Sequence, residues 1–385
     1  MTQRQPSTVG ALGRDNRSLL LRSLYFSAPA SRQALGAATG LSAASVGKVV
    51  RELVGEGIVT EDGSLDSDGG RPRKLLRIAP GYGFVVGVDV GEARIRIGLF
   101  DLAMTELAKA DRLIDSRRHG PETVASRILA GLTTVLTKSA VASDAVLGIG
   151  VGIPRQTPER TKRLSWNPVV LEQLLGRGTD LPLHCESRAG TMGRAELWFG
   201  SGRETPGTVV ALLGSDVGAS VVFGGPTTHG TSTGVGEFGH TVLVAGGRPC
   251  RCGSKGCLEA YVGAEAILDR FREAGGIIPE DADLRPALTA IVHDDQGTGV
   301  LTETHHYLGA GIGGLINLLN PARVVLGGWA GLLLGQRNLD AIRDAARRHS
   351  LKHSFATTTI DLCSLGPDAA TRGAATLPLE HFLNG

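Results

Sequence analysis

Gly236 to Glu259 reads GEFGHTVLVAGGRPCRCGSKGCLE and holds three of the chain's five cysteines, Cys250, Cys252 and Cys257, with His240 upstream of them. One imidazole and three thiolates are the usual closed tetrahedral donor set of a structural zinc. Gly246, Gly247, Gly253 and Gly256 let the backbone fold back so that four side chains reach one ion. Disulfide bonding is the alternative. Three clustered cysteines pair poorly, however, and the N-terminus lacks the apolar core of a signal peptide that would send the chain to an oxidising compartment. The flanking acids carry a second message. Glu237 precedes His240 and Glu259 follows Cys257 closely, so an ion that fixes the two ligands also fixes two carboxylates beside one cleft. Carboxylates so placed suit a polyol.

This run resembles the signature of the ROK family (repressors, unknown open reading frames and sugar kinases). The pattern is E-x-G-H, a spacer, then C-x-C-G-x-x-G-C-x-E, and every fixed position is present. The resemblance implies that His240 bridges zinc and sugar, and that Glu237 and Glu259 hold sugar hydroxyls.

The 385 residues suggest two or three domains, and an apolar share of 42% with only 4% aromatics implies aliphatic cores. Formal charge is +2. Residues 1–80 carry eleven Lys/Arg against seven Asp/Glu, a surplus of four, which leaves the remainder at −2. A basic head on a slightly acidic body fits a DNA-binding head. No apolar run approaches the roughly 20 residues of a membrane span. A cytoplasmic protein with reduced thiols is expected.

Residues 1–13 read as a loose, disordered arm. An apolar stretch from Asp15 predicts a helix to about Ala28, closed by Pro29. Ser31 caps a second helix that Gly40 ends, and Ser42 caps a third. In the third, Val46, Val49, Val50, Leu53 and Val54 share one helical face. Ala43, Ala44, Ser45, Lys48 and Arg51 occupy the opposite one. Small residues at Ser42, Ala44 and Ser45 let the backbone approach base edges, and Lys48 and Arg51 reach phosphate or guanine, as in a helix-turn-helix. The alternative is a three-helix bundle with a solvated face. Ile58 to Ile78 reads as two strands around a polar turn, the wing of a winged helix. Its Gly69-Gly70-Arg71-Pro72-Arg73 run suits a minor groove with Arg71 inserted and Arg73 beside it. ROK repressors carry a similar head, so the resemblance points to the repressor branch. Pro80 to Gly83 reads as the hinge to the body.

Phe84–Asp101 and residues 208–225 repeat one plan of strand, glycine turn and strand. In the sugar-kinase and actin-like superfamily such turns clamp ATP phosphates. Here they depart from the kinase pattern. D-x-G-G-T is replaced by Asp89-Val90-Gly91-Glu92-Ala93, and G-T-G-x-G by Gly214-Ser215-Asp216-Val217-Gly218. Glu92 and Asp216 both repel a triphosphate. The E-N-D-A-N run that supplies the catalytic base aligns with Glu186-Ser187-Arg188-Ala189-Gly190. A guanidinium stays protonated and cannot act as a base, so no kinase activity and no catalytic residue is expected. Arg188 has three open roles. It pairs with an anionic sugar derivative, or turns onto Glu186 or Glu237 and fills the pocket, or tolerates a neutral sugar in a shifted pose. Ser187, Glu186 and Asn167 complete the candidate ligand set. Trp329 reads either as a plug in the nucleotide slot or as a packing residue. His305 and His306 read as surface residues, and Cys185 and Cys363 as buried small apolar ones.

The expected architecture is α/β. A winged helix-turn-helix over residues 14–79 precedes a two-lobed actin-like ATPase (ribonuclease H-like) body over residues 84–385, with lobes of about 84–200 and 201–385 and a structural zinc. The expected function is a DNA-binding regulator, a repressor of sugar-related genes. It would be gated by a sugar or sugar-derived effector, neutral or anionic, and would act as a homodimer or homotetramer on double-stranded operator DNA, with no membrane role. A regulator controlled by a protein partner, or by no ligand, is the alternative; a sugar kinase with an accessory head ranks below both.

Overall fold

The computed structural model describes residues 9–65, 72–91, 93–114, 119–154, 168–200, 202, 205, 207–223, 236–279 and 282–385. Arg71, Glu92 and Asn167 lie outside these. The head comprises α1 (Val9–Ser27), β1 (Ala30–Ser31), α2 (Arg32–Thr39), α3 (Ala43–Gly55), β2 (Val59–Leu65) and β3 (Arg73–Ile78). Local chemistry sets its boundaries. Ser31 Oγ accepts from Ala34 N–H at the start of α2, Gly40 ends that helix at φ +71°, and Ser42 Oγ accepts from Ser45 N–H at the start of α3. Val46, Val49, Val50 and Leu53 are buried against Leu20, Leu24 and Leu35, whereas Val54, placed with them by periodicity, is 40% exposed. Strands β1, β3 and β2 form an antiparallel sheet in that order. Helix α1 begins at Val9, inside the stretch expected as a loose arm.

The body follows as β4 (Phe84–Val90), β5 (Arg94–Asp101), β6 (Glu106–Leu113), α4 (Pro121–Ser139), β7 (Val146–Ile153), α5 (Pro168–Gly178), β8 (Leu183–Ser187) and α6 (Arg188–Phe199). The second half runs β9 (Thr208–Leu213), β10 (Val217–Val222), α7 (Glu259–Val262), α8 (Ala264–Glu273), α9 (Leu284–His293), α10 (Thr298–Leu319) and β11 (Arg323–Gly327). It closes with α11 (Gly328–His349), α12 (Lys352–Ala356), β12 (Thr359–Leu362) and α13 (Ala369–Asn384). The repeated plan appears as two sheets, β6-β5-β4-β7-β8 and β10-β9-β11-β12. In each, an antiparallel hairpin, β4–β5 or β9–β10, continues into parallel neighbours, β7 or β11.

The expected division of the body at about residue 200 is corrected at the C-terminus. Helix α13 belongs to the second stretch in sequence but packs on the first sheet, where glycines in two strands admit it. A Cβ on Gly87 would lie 2.0 Å from Thr371 O, and one on Gly150 would lie 1.8 Å from Ala374 O. Only a glycine leaves room for a helix backbone there. The expected hinge is also firmer than its composition suggests. Pro80–Tyr82 forms a 3-10 turn whose Pro80 carbonyl accepts from Leu102 N–H at 3.0 Å. One buried cluster joins Leu20, Leu24 and Leu76 of the head to Phe100, Trp198 and Leu379 of the body. Among the described residues no helix is long and apolar enough to cross a membrane.

Candidate functional site

A narrow cleft lies between the two sheets, lined by the first turn of α6, the β9–β10 turn, Glu237, His240, Arg251 and Glu259. Its floor on the second lobe is the quoted cysteine run. Bridges Val242↔Cys257 and Pro249↔Lys255 fold that run back on itself, and Cys250 N–H donates to Ser254 O. Gly256 sits at φ +78° with Val244 O only 1.7 Å from where a Cβ would stand, which makes glycine the one residue that fits the return. His240, Cys250, Cys252 and Cys257 bring their donor atoms within 4.8 Å of one another. His240 Nδ1 lies 3.5 Å from Cys250 Sγ, and Cys252 and Cys257 Sγ are 3.7 Å apart. Ligands on a tetrahedral ion with 2.0–2.3 Å bonds are separated by about 3.5–3.8 Å, so the set fits a metal ion. All five cysteines are free thiols, and the 3.7 Å gap is far beyond an S–S bond. Burial raises the Cys250 and Cys257 thiols above their ordinary range; a bound dication would offset that cost.

His240 turns its other nitrogen to the cleft, where Nε2 lies 3.8 Å from Glu237 Oε2. With Nδ1 on a metal, Nε2 carries the proton and donates into the cleft. Glu259, 5% exposed, is already engaged. Its Oε2 accepts from Val217 N–H at 2.9 Å, and Arg251 holds both oxygens, Nε at 2.6 Å and Nη2 at 3.0 Å. Arg251 is a cleft residue that sequence reading missed; its place inside Cys-x-Cys was the available signal.

Across the cleft, Ser187 caps α6 by accepting from Gly190 N–H at 3.0 Å, and Glu186 Oε1 accepts from Ser187 N–H. Arg188 follows as the first residue of the helix. Its guanidinium reaches two aspartates, one from each half of the body. Nε and Nη2 donate to the two oxygens of Asp89 at 2.7 and 3.2 Å, and Nη1 donates to Asp216 Oδ1 at 3.2 Å. Asp89 belongs to β4 and Asp216 to the β9–β10 turn, so one side chain ties the two sheets. The Trp329 indole lies against the same turn, with Nε1 3.2 Å from the Cβ position of Gly214.

On α3, Ala44, Lys48 and Arg51 are exposed, Ser45 is half-buried, and Arg73 is exposed on β3. The histidine reading is corrected at one position: His305 is buried on α10, and its Nε2 has no partner. Cys363 is buried as expected, whereas Cys185 is exposed.

Residues 85–381 match the model of the ROK family. The xylose repressor of Bacillus spizizenii is 25% identical over 384 residues, with 96% of each chain covered. A glucokinase of Halalkalibacterium halodurans is 28% identical over 311 residues, covering 76% of this chain and 94% of its own. The crystal structure of a ROK family transcriptional regulator, a homologue of the E. coli MLC protein, superposes with a TM-score of 0.80 at 22% identity over 97% of both chains.

Proposed function

The chain belongs to the ROK family, and on that premise we propose that it is a DNA-binding transcriptional repressor of sugar-related genes whose body senses a sugar and catalyses nothing. The observation that carries this reading is Arg188. It stands where a kinase needs a base, and it is already bonded to Asp89 and Asp216. A protonated guanidinium cannot take a proton from a sugar hydroxyl, and its two aspartates disfavour a triphosphate. Full-length similarity to repressors, against partial similarity to glucokinases, supports a head with a purpose of its own.

In this reading residues 14–79 are a winged helix-turn-helix. Helix α3 enters the major groove with Ser42, Ala44 and Ser45 near base edges and Lys48 and Arg51 on phosphate or guanine. Arg71 and Arg73 serve the wing. Zinc is the ion at His240, Cys250, Cys252 and Cys257. Glu237, His240 and Glu259 hold sugar hydroxyls, with Asn167 a further contact. A neutral sugar fits better than an anionic one, because Arg188 and Arg251 face Asp89, Asp216, Glu237 and Glu259. A two-fold homo-oligomer in the cytoplasm presents two heads to a palindromic operator. The sugar shifts the population toward a head spacing that fits the operator poorly.

Arg251 on Glu259 and Arg188 on its two aspartates also favour a second reading, in which the cleft fills itself and a protein partner or no ligand controls the head. Fluorescence anisotropy at fixed salt, with DNA from beside the protein's own gene, separates the two. Specific binding weakened by D-xylose, D-glucose or another neutral sugar supports the first. Tight binding that no sugar moves supports the second. Absence of specific DNA binding sinks both, and sugar-dependent ATP turnover in a coupled assay sinks the claim that the body is not a kinase.

A further inference from the structure

Helix α6 begins in the cleft and ends against the head. Its first residue, Arg188, holds Asp89 on one sheet and Asp216 on the other. Nine of its twelve residues are buried. Midway, it meets α13 backbone to backbone: a Cβ on Gly373 would lie 1.7 Å from Thr191 O and 3.1 Å from Ala195 N. Arg194 locks the pair, with Nε donating to Thr376 Oγ1 at 2.9 Å and the guanidinium paired to Glu380. Glu380 in turn pairs with Arg22 on α1 at 3.3 Å. At the last turn Trp198 lies against Tyr25 and Phe26 of α1, ring centroids 5.5 and 5.0 Å apart. The Arg194 guanidinium stacks over the same indole at 5.9 Å.

We propose that α6 is the lever by which the cleft sets the seating of the head, with Arg188 as its latch. The proposal rests on the reading of the cleft as the effector site and adds the route from that site to DNA. An arginine bonded to both sheets holds them at one separation. A ligand that competes for Asp216, or that parts the sheets, releases one end of a rigid rod about 18 Å long at 1.5 Å per residue. A tightly packed rod cannot absorb that displacement along its length. The shift therefore appears where α6 ends, at the Trp198–Tyr25–Phe26 cluster, and through Arg194 and Glu380 at Arg22. Both contacts lie on α1, the helix on which α2 and α3 are seated.

The test uses the full-length protein without DNA or sugar, so it reports on the lever even if the proposed function fails. Amide hydrogen exchange is followed in peptides covering residues 19–27 for Arg188→Gln, with Arg343→Gln, a pair on the far side of the second lobe, as the comparison. Arg343 bonds Asp340 and Asp361 there. Arg188→Gln is expected to speed exchange in residues 19–27 several-fold, and Arg343→Gln to leave it unchanged. Arg188→Lys, which keeps the charge and loses the two-pronged bond, is expected to give a smaller effect of the same sign and guards against misfolding of the first variant. A urea-denaturation cycle pairing Arg188→Gln with Phe26→Ala adds a second readout. Sites this far apart normally act independently, so a combined effect on the unfolding constant departing more than about twofold from the product of the single ones supports the lever. Faster exchange confined to residues 84–90 and 214–218, or strict independence in the cycle, overturns it.

Discussion

The second-lobe side of the cleft gathers His240, Cys250, Cys252 and Cys257 around one point and aims His240 Nε2 and Glu237 inward. The opposite side puts a cation at the start of α6, bonded to its own Asp89 and, across the cleft, to Asp216 of the second lobe. Both sides stand on the same plan of hairpin and glycine turn. One keeps its polar groups in place through a folded-back run whose His and Cys donors could hold a metal ion; the other spends its charge on tying the two sheets together. If the proposed reading holds, holding a sugar and phosphorylating it are separable at the level of structure. Recognition needs fixed donors and acceptors, whereas phosphoryl transfer also needs a base and room for phosphates.

The largest test of this contrast targets the proposed metal site. Chelation, or Cys257→Ser at a site with no solvent exposure, is expected to cost several kcal/mol and to expose residues 236–263 to protease, because site formation and local folding are one event. Metal content and a thermal melt check it; a melt unmoved by chelation would break the comparison. Arg188→Ala probes the other side. It leaves two carboxylates facing each other in partly buried positions, at an expected cost of about 3 kcal/mol in urea denaturation. Changing Asp89 and Asp216 to asparagine as well should recover much of that loss. A third measurement asks whether the second lobe fails first in acid. Burial lowers the His305 pKa from 6.5 to about 4. The neutral ring is the folded form, so its full contribution is present above pH 6.5 and is lost as pH falls toward 4, by about 3 kcal/mol in all. His305→Gln should flatten that slope in a pH series of melts. The smallest effect is at Glu237. Glu237→Gln should leave the melting temperature alone and weaken the sugar's action on DNA binding about tenfold, the worth of one hydrogen bond to a charged group. An unchanged sugar response would remove Glu237 from the ligand set.

What the sequence made legible was local. Ser31, Gly40 and Ser42 announce their helix ends because a cap depends on the few residues around it. The cysteine run announces its donors because a closed metal site has a fixed set of ligands. Asp89, a partner of Arg188, was hidden, since it is 99 residues away and the sequence pointed to Glu186 or Glu237 instead. The same holds for α13, whose place on the first sheet is set by gaps at Gly87 and Gly150 that no periodicity in α13 reveals. Val54 shows the converse error: a regular apolar spacing continued one step past the surface that needed it.

The position of α13 has a consequence for how the protein is made. Strands β4 and β7 leave the ribosome long before α13, the helix that fills their grooves. Domains usually settle in the order in which they emerge. Here the first sheet must wait, its glycine-lined face uncovered, until α13 emerges. The head waits with it, because Leu379 and Leu383 of α13 complete the cluster beneath α1. A ribosome that stops before α13 releases a chain whose earlier elements are the ones left unfinished, with no seated head.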